Sequence, residues 1–173
     1  FNLEIFDLEK LETAGGSMRY YICRKGKKKI QKNINKFLKL EKKFNFTKSK
    51  TYNSFKRNCE RSKKNLAQTL EKISKKYTIA GYGATSKSTT IFNYCNINKN
   101  LLNYITDTTP TKINKLSPGM HIPIFDYSYF TSNLPDYCFL LAWNHKNEIL
   151  KKEKNNFSKN GKWITHIPKI KIF

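Results

Sequence analysis

Apolar residues along this 173-residue chain follow two patterns: short runs, and segments with apolar positions every three or four residues. The first pattern predicts β-strands and the second predicts amphipathic helices. Strands are expected over residues 1–24 (as a pair), 77–80, 101–106, 121–125, 137–142, 163–167 and 169–173. Helices are expected over residues 34–46, 51–76, 86–94, 127–133 and 145–157, and a loop over residues 108–119.

The order of these elements predicts the fold class. From residue 77 onward, predicted strands and helices alternate, and residues 137–142 form an unbroken apolar run. Such runs are typical of strands that are buried on both faces of a parallel sheet. We therefore expect an open, mostly parallel α/β sheet with flanking helices, preceded by a short strand pair and a long amphipathic helix.

The strong positive charge does not by itself indicate nucleic-acid binding. Lys and Arg number 34 against 12 Asp and Glu, which gives a net charge of +22. Only Arg19, Arg24, Arg57 and Arg61 are arginines, and lysine is spread along the chain beside abundant Asn and Ile. Base and phosphate recognition favours arginine forks as well as lysine. We expect no specific nucleic-acid partner, and no membrane partner because no apolar run approaches spanning length.

The cysteines give no sign of a metal site. Cys23, Cys59, Cys95 and Cys138 are widely spaced and form no C-x-x-C pair. Zinc sites and disulfide frameworks favour closer or more regular spacing. Cys95 and Cys138 lie inside apolar stretches, so we interpret them as small buried apolar residues, and we expect a reducing, cytoplasmic location. The chain begins at Phe1, inside a predicted strand, which suggests a piece of a longer protein.

Residues 77–95 predict a buried strand, a glycine turn and the start of a helix. Backbone N–H groups, hydroxyls and the Lys87 ammonium would converge at the positive end of that helix. A phosphate is the natural occupant of such a place. Electrostatics supports this interpretation, because a cation at a helix N-terminus is unfavourable unless an anion compensates it.

Two glycine motifs partly fit this turn. Gly81 and Gly83 match the first two glycines of a dinucleotide-binding turn, but Ser86 stands where the third belongs. Ser86 also replaces the last glycine of a Walker loop, and no strand offers an acidic magnesium partner, so we reject a nucleotide triphosphatase. Asp107 ends the next strand, where a carboxylate could accept hydrogen bonds from ribose hydroxyls. The alternative is that the glycines only form a tight turn and Asp107 only caps a loop.

Ligands of open α/β sheets bind at the carboxyl ends of the strands. This rule predicts that several segments lie near one another there: Tyr82, Asp107, Pro118–Gly119, His121 and Trp143–Asn144. His121 would serve as a general base or phosphate donor, or else be structural. Trp143 would stack on a base or sugar, or else be a buried rim residue. We find no paired carboxylates and no nucleophile with an activating base, so no catalytic residue is predicted.

Five stretches in order resemble one family, the C-terminal domain of S-adenosylmethionine-dependent sugar C-methyltransferases. They are residues 15–19 (GGSMR), 81–87 (GYGATSK), 106–107 (TD), 118–124 (PGMHIPI) and 135–144, which begins PDY and ends AWN. The resemblance implies a Rossmann-like substrate domain over residues 48–173. It also implies that residues 1–47 contact an upstream methyl-donor domain of the same chain, with Gly15, Gly16, Ser17 and Arg19 at the interface.

The same resemblance implies a function. The full protein would be a methyltransferase that acts on a nucleotide-linked deoxysugar, with S-adenosylmethionine and the catalytic base both held upstream of these residues. A base would remove a proton from a sugar carbon next to a ketone, and the enolate would attack the sulfonium methyl. Substrate contacts would come from residues of the glycine turn and strand ends: Gly81, Tyr82, Gly83, Ala84, Lys87, Asp107, His121, Trp143 and Asn144.

The sequence departs from the family pattern at two positions. Ala14 stands where a His commonly precedes Gly-Gly-Ser, and Ser88 stands where a Gly commonly follows the lysine. The first departure puts a catalytic or substrate-contacting role of that position in doubt. A stand-alone nucleotide- or dinucleotide-binding module without catalytic activity is the alternative function.

Overall fold

The computed structural model describes every residue except Asn160, together with all side chains except that of Ala14. The departure from the family pattern at Ala14 therefore concerns a side chain outside the described part. The chain forms two compact units, residues 1–58 and 59–173. The division falls within a helix, α2 (Ser49–Ser74).

The first unit contains an antiparallel hairpin and a helix. Strands β1 (Leu3–Leu11) and β2 (Ser17–Arg24) pair with Leu3 opposite Arg24 and Leu11 opposite Ser17. A short 3-10 helix, Thr13–Gly15, makes the turn, and positive φ angles at Gly15 and Gly16 allow the chain to reverse there. Helix α1 (Lys32–Phe44) follows and contacts β1. The hairpin is the strand pair predicted over residues 1–24.

The second unit is a mixed α/β domain. After the C-terminal part of α2 its elements are β3 (Ile79–Tyr82), α3 (Ser86–Cys95), β4 (Tyr104–Thr106), β5 (Lys115–Leu116), β6 (Pro123–Phe125), α4 (Tyr127–Ser132), β7 (Tyr137–Leu140), α5 (Lys146–Lys152), β8 (Lys162–Thr165) and β9 (Lys171–Ile172). A 3-10 turn, Trp143–His145, links β7 to α5.

These strands form one sheet in the order β5-β6-β4-β3-β7-β8-β9. The five central strands are parallel, whereas β5 and β9 pair antiparallel at the two edges. The predicted open, mostly parallel α/β sheet is therefore confirmed. Strand β5 was missed, because residues 108–119 were predicted to be loop throughout.

Apolar side chains cover both faces of the sheet. Alternate residues of a strand point to opposite faces, so Ile79 packs in one cluster with Leu70 and Phe92. Its neighbour Ala80 packs in the other cluster with Phe130. Burial on both sides explains the unbroken apolar runs of the central strands. No helix in the described part of the chain is both long and apolar enough to cross a membrane.

Candidate functional site

A cleft of about 480 Å³ lies where the parallel strands end. Segments that follow β3, β4, β6 and β7 contribute to it, so the carboxyl edge of the sheet forms its base. This is the edge at which open α/β sheets bind ligands. The lining residues are Tyr82, Gly83, Thr85, Thr106, Asp107, Thr108, Thr109, Lys112, Tyr127, Ala142, His145, Glu148, Ile149 and Lys152.

Gly81, inside β3, and Gly83, just after it, both lie where packing leaves little room for a side chain. A Cβ atom on Gly81 would lie 2.6 Å from Leu141 Cδ1, inside the sheet's packed face. Gly83 has φ +93°, and a Cβ there would lie 2.8 Å from the Cβ of Ala142. Gly83 therefore lets β3 and the segment after β7 approach closely at the cleft. Gly81 is buried in the strand and does not line the cleft, so the structure does not place it with the other predicted substrate contacts.

The amides of this turn are largely bound within the protein. Gly83 N–H donates to the Thr106 carbonyl at 2.8 Å, and Ala84 N–H donates to Asp107 Oδ2 at 2.7 Å. Thr85 caps α3, since its hydroxyl accepts from Ser88 N–H at 3.1 Å. Ala84 thus presents no unbound amide to an anion. The Ala84 amide, which was expected to bind a phosphate, instead binds the carboxylate of Asp107.

Asp107 locks the loop after β4 onto this turn. Besides the Ala84 amide, its carboxylate accepts from Thr109 N–H at 2.8 Å and lies 3.5 Å from Lys112 Nζ. Lys112 also donates to the Ala84 carbonyl at 2.8 Å. Burial raises the pKa of Asp107, but the hydrogen bonds from Thr109 and Ala84 and the charge of Lys112 lower it overall. Its side chain is only 8% exposed and already receives these donors, so its predicted role in orienting a ligand hydroxyl stays a prediction.

Lys87 and Trp143 meet across the point where the strand order reverses, between β3 and β7. Lys87 Nζ lies 5.7 Å from the centre of the Trp143 ring, within cation–π range. The neighbouring Asn144 is exposed. Lys87, Trp143 and Asn144 therefore lie at the carboxyl edge with the cleft, although none of the three lines it. This contact gives the Lys87 ammonium a partner other than a bound anion.

Charged residues that were not singled out in the sequence also line the cleft. Lys112 and Lys152 bring two ammonium groups to it. His145 Nδ1 lies 3.2 Å from Glu148 Oε2, and both side chains are mostly exposed. The available signal was the position of His145, three residues after the apolar run 137–142. Lys152 and Glu148 gave no such signal in the sequence, because they look like any charged residue on the solvated face of a helix.

A buried carboxylate lies behind one side of the cleft. Glu153 is 0% exposed, and its oxygens accept from the hydroxyls of Tyr82 at 2.8 Å and Tyr127 at 3.3 Å. The Asn156 amide donates to it at 3.3 Å, and Lys152 Nζ lies 4.0 Å away. Burial, followed by the hydrogen bond to Glu153, raises the pKa of Tyr82.

His121 lies at the opposite edge of the sheet from the cleft. It precedes β6, which starts at Pro123, and lines a separate surface depression with residues 98–100, which precede β4. Its predicted place in the site is therefore wrong. Pro118 and Gly119 also lie outside the cleft and pack on α3, where the Pro118 carbonyl accepts from the Asn93 amide at 3.0 Å.

The predicted interface residues belong to the first unit. Gly15 and Gly16 form the hairpin turn, and the Ser17 hydroxyl donates to the Thr13 carbonyl at 3.1 Å. Arg19 is half exposed and pairs with Glu9 at 3.1 Å across the hairpin. These contacts account for the shape of the turn and leave the proposed interface as a prediction.

The comparisons with known proteins agree with the resemblance found in the sequence. A family model described as the C-methyltransferase C-terminal domain matches residues 12–168. The C-methyltransferase NovU of Streptomyces niveus is 36% identical over 95 residues, which are 55% of this chain and 23% of that protein. The aligned segment thus spans about a quarter of this relative. Because the family model covers most of its length, the chain belongs to the C-methyltransferase C-terminal domain family.

Proposed function

We propose that this chain is the nucleotide-sugar-binding domain of an S-adenosylmethionine-dependent C-methyltransferase. The observation that carries the proposal is the cleft at the carboxyl edge, built by segments that follow four parallel strands. In this proposal the cleft holds a nucleotide-linked deoxysugar while a methyl group is transferred to one of its carbons. A stand-alone nucleotide-binding module is not favoured, because the family is defined by a domain of methyltransferases.

The strand order supports a Rossmann-like assignment of the second unit. Counted along the chain, its five parallel strands lie in the order 3-2-1-4-5. This is the order of the first five strands in doubly wound dinucleotide-binding folds, in which the ligand lies where the order reverses. Here the reversal falls between β3 and β7, and residues after both strands line the cleft.

Side-chain cations are the groups we assign to the substrate diphosphate. The turn amides of Gly83 and Ala84 already have protein acceptors. Lys112 and Lys152 line the cleft, and Lys87 lies at the same edge. A lysine ammonium has three donors, so one hydrogen bond to the protein leaves others for phosphate oxygens. Tyr82, Trp143 and Asn144 are the proposed neighbours of the sugar or base.

We infer that the described residues do not hold the methyl donor. In nucleotide cofactor sites of this fold, a carboxylate at the end of the second strand accepts hydrogen bonds from ribose hydroxyls. Asp107 occupies that position, but its oxygens are bound by Ala84, Thr109 and Lys112 and are nearly inaccessible. We therefore place S-adenosylmethionine, which would supply an electrophilic methyl group, in an upstream domain, with residues 1–47 contacting that domain. This chain would position the sugar and exclude water, which lowers reaction barriers by several kcal/mol.

Calorimetric titration of the 173-residue chain tests the proposal. Thymidine diphosphate, NAD and a short DNA duplex would be titrated separately at two salt concentrations. We expect thymidine diphosphate to bind at one site and more tightly than NAD. Binding of the duplex alone, with affinity falling steeply as salt rises, would identify the positive charge as a nucleic-acid surface and overturn the proposal.

Lys87→Ala is expected to weaken thymidine diphosphate binding about five- to ten-fold, because one cation at the site is lost. Thermal stability should fall by no more than about 1–2 kcal/mol, since Lys87 and Trp143 are half-buried and a single cation–π contact contributes that much at most. His121→Ala, at the opposite edge, is the matched control and should leave the Kd unchanged. A large stability loss with unaltered binding in Lys87→Ala would show that the lysine is structural.

A further inference from the structure

The cleft has a side on which two tyrosines are tied to one hidden carboxylate. Tyr82 ends β3 and Tyr127 begins α4, and both line the cleft. Glu153, directly after α5, does not line it and is fully buried. The carboxylate therefore acts on the cleft only through the side chains that it holds.

The burial of Glu153 makes its hydrogen bonds strongly favoured. Removing a carboxylate from water is costly unless its oxygens receive donors. Oε1 accepts from Tyr82 at 2.8 Å, and Oε2 accepts from Tyr127 and Asn156, each at 3.3 Å. A tyrosine that turned away would leave a buried charge without one of its donors. Each ring is thus held at its hydroxyl end.

The rings are also held along their sides. The Tyr82 ring packs edge-on against Phe130 and Trp163, with centroids 5.4 and 5.7 Å apart. Lys152 Nζ lies 3.6 Å from the centre of the Tyr127 ring and 4.0 Å from Glu153 Oε1. The carboxylate consequently sets three cleft-lining groups at once: two aromatic rings and one ammonium.

We infer that Glu153 is a positioning residue, which fixes Tyr82, Tyr127 and Lys152 in the arrangement that receives the substrate. This inference rests on the proposed function for the identity of the ligand. The rings would pack against the sugar or base, and Lys152 would be oriented toward the diphosphate. The alternative is that Glu153 only stabilises the fold. In that case its loss would alter stability and leave the cleft of the folded protein unchanged.

The test compares Glu153→Gln, Tyr82→Phe and Tyr127→Phe with the parent chain, well below their melting temperatures. Glutamine keeps the size of the Glu153 side chain but removes its charge. Each phenylalanine variant removes one hydrogen-bond donor to Glu153, and these two variants provide the test if Glu153→Gln does not fold. We expect the Kd for thymidine diphosphate to rise about five- to ten-fold in each variant. Tyr104→Phe is the matched control, because this buried hydroxyl donates at 2.6 Å to the Asn133 carbonyl and does not line the cleft. It should lower stability without changing the Kd.

A second measurement separates this inference from the proposed function. Nuclear magnetic resonance of tyrosines labelled with 13C at Cζ reports each ring's environment without a ligand. We expect the Tyr127 signal to shift in Glu153→Gln and in Tyr82→Phe, since the shared carboxylate links the two rings. An unchanged Kd in the folded variants would overturn the inference. If the parent chain binds no thymidine diphosphate, the proposed function fails. In that case, tyrosine signals that do not shift in the variants would overturn the positioning role of Glu153 as well.

Discussion

Gly83→Ala is expected to destabilise the second unit by about 3 kcal/mol, through backbone strain and a steric clash. Holding an alanine at φ +93° costs roughly 1–2 kcal/mol. Its Cβ would also lie 2.8 Å from the Cβ of Ala142, and overpacking of this kind costs about 1–3 kcal/mol. Because Gly83 and Ala142 both line the cleft, ligand binding should weaken as well. Chemical denaturation followed by tryptophan fluorescence measures the stability change, since both tryptophans lie in this unit.

A double-mutant cycle with Ala142→Gly isolates the clash. That substitution removes the atom that the new Cβ would meet, so the double variant should recover about 1–2 kcal/mol relative to the sum of the single effects. The strain at position 83 would remain. Strict additivity of the two changes would contradict the proposed contact between the segments after β3 and β7.

Acidification between pH 6.5 and 4 is expected to destabilise the protein by roughly 3 kcal/mol because of His166. This imidazole follows β8, is 6% exposed and packs edge-on against Phe139, and its Nδ1 has no hydrogen-bond partner. Burial lowers its pKa from 6.5 to about 4. The unfolded chain therefore takes up the proton first, so stability is complete above pH 6.5 and is lost as the pH falls toward 4.

The variant His166→Leu should flatten this part of the stability profile. Urea denaturation at half-unit pH steps measures it, with His121→Leu as the control, because His121 is exposed. Carboxylates whose pKa is lowered, such as Asp107 and Asp136, lose their contribution only below about pH 4, so their effect is separate. An unaltered profile in His166→Leu would show that the imidazole is not held neutral in the folded protein.

Local sequence patterns were sufficient to predict those elements whose structure depends on residues close together in the sequence. The unbroken apolar runs of β3 and β7 follow from burial on both faces, and the glycine turn was evident from Gly81 and Gly83. Strand β5 was missed because its two residues, Lys115 and Leu116, are exposed and carry no periodic signal. The mixed α/β sheet was predictable since its strands and helices alternate along the chain.

The site was predicted less completely because its geometry depends on distant partners. Glu153 sits in a lysine-rich stretch that is typical of a solvated helix, and its partner Tyr82 is 71 positions away. Asp107 was correctly placed at the end of its strand, but only the structure shows that its oxygens are occupied by Ala84 and Thr109. His121 was misplaced although the strand predicted over residues 121–125 already begins at it, which puts this residue at the amino end of the strand and away from the carboxyl edge.

We propose that a nucleotide diphosphate binds in the cleft at the carboxyl edge of the sheet. Amide nuclear magnetic resonance of the 15N-labelled chain during titration with thymidine diphosphate tests it most directly, because every perturbed residue is identified. We predict saturable shifts that cluster after β3, β4 and β7, at Gly83, Lys112 and His145. Shifts centred on His121 at the opposite edge, or small changes scattered over exposed lysines without saturation, would contradict the account.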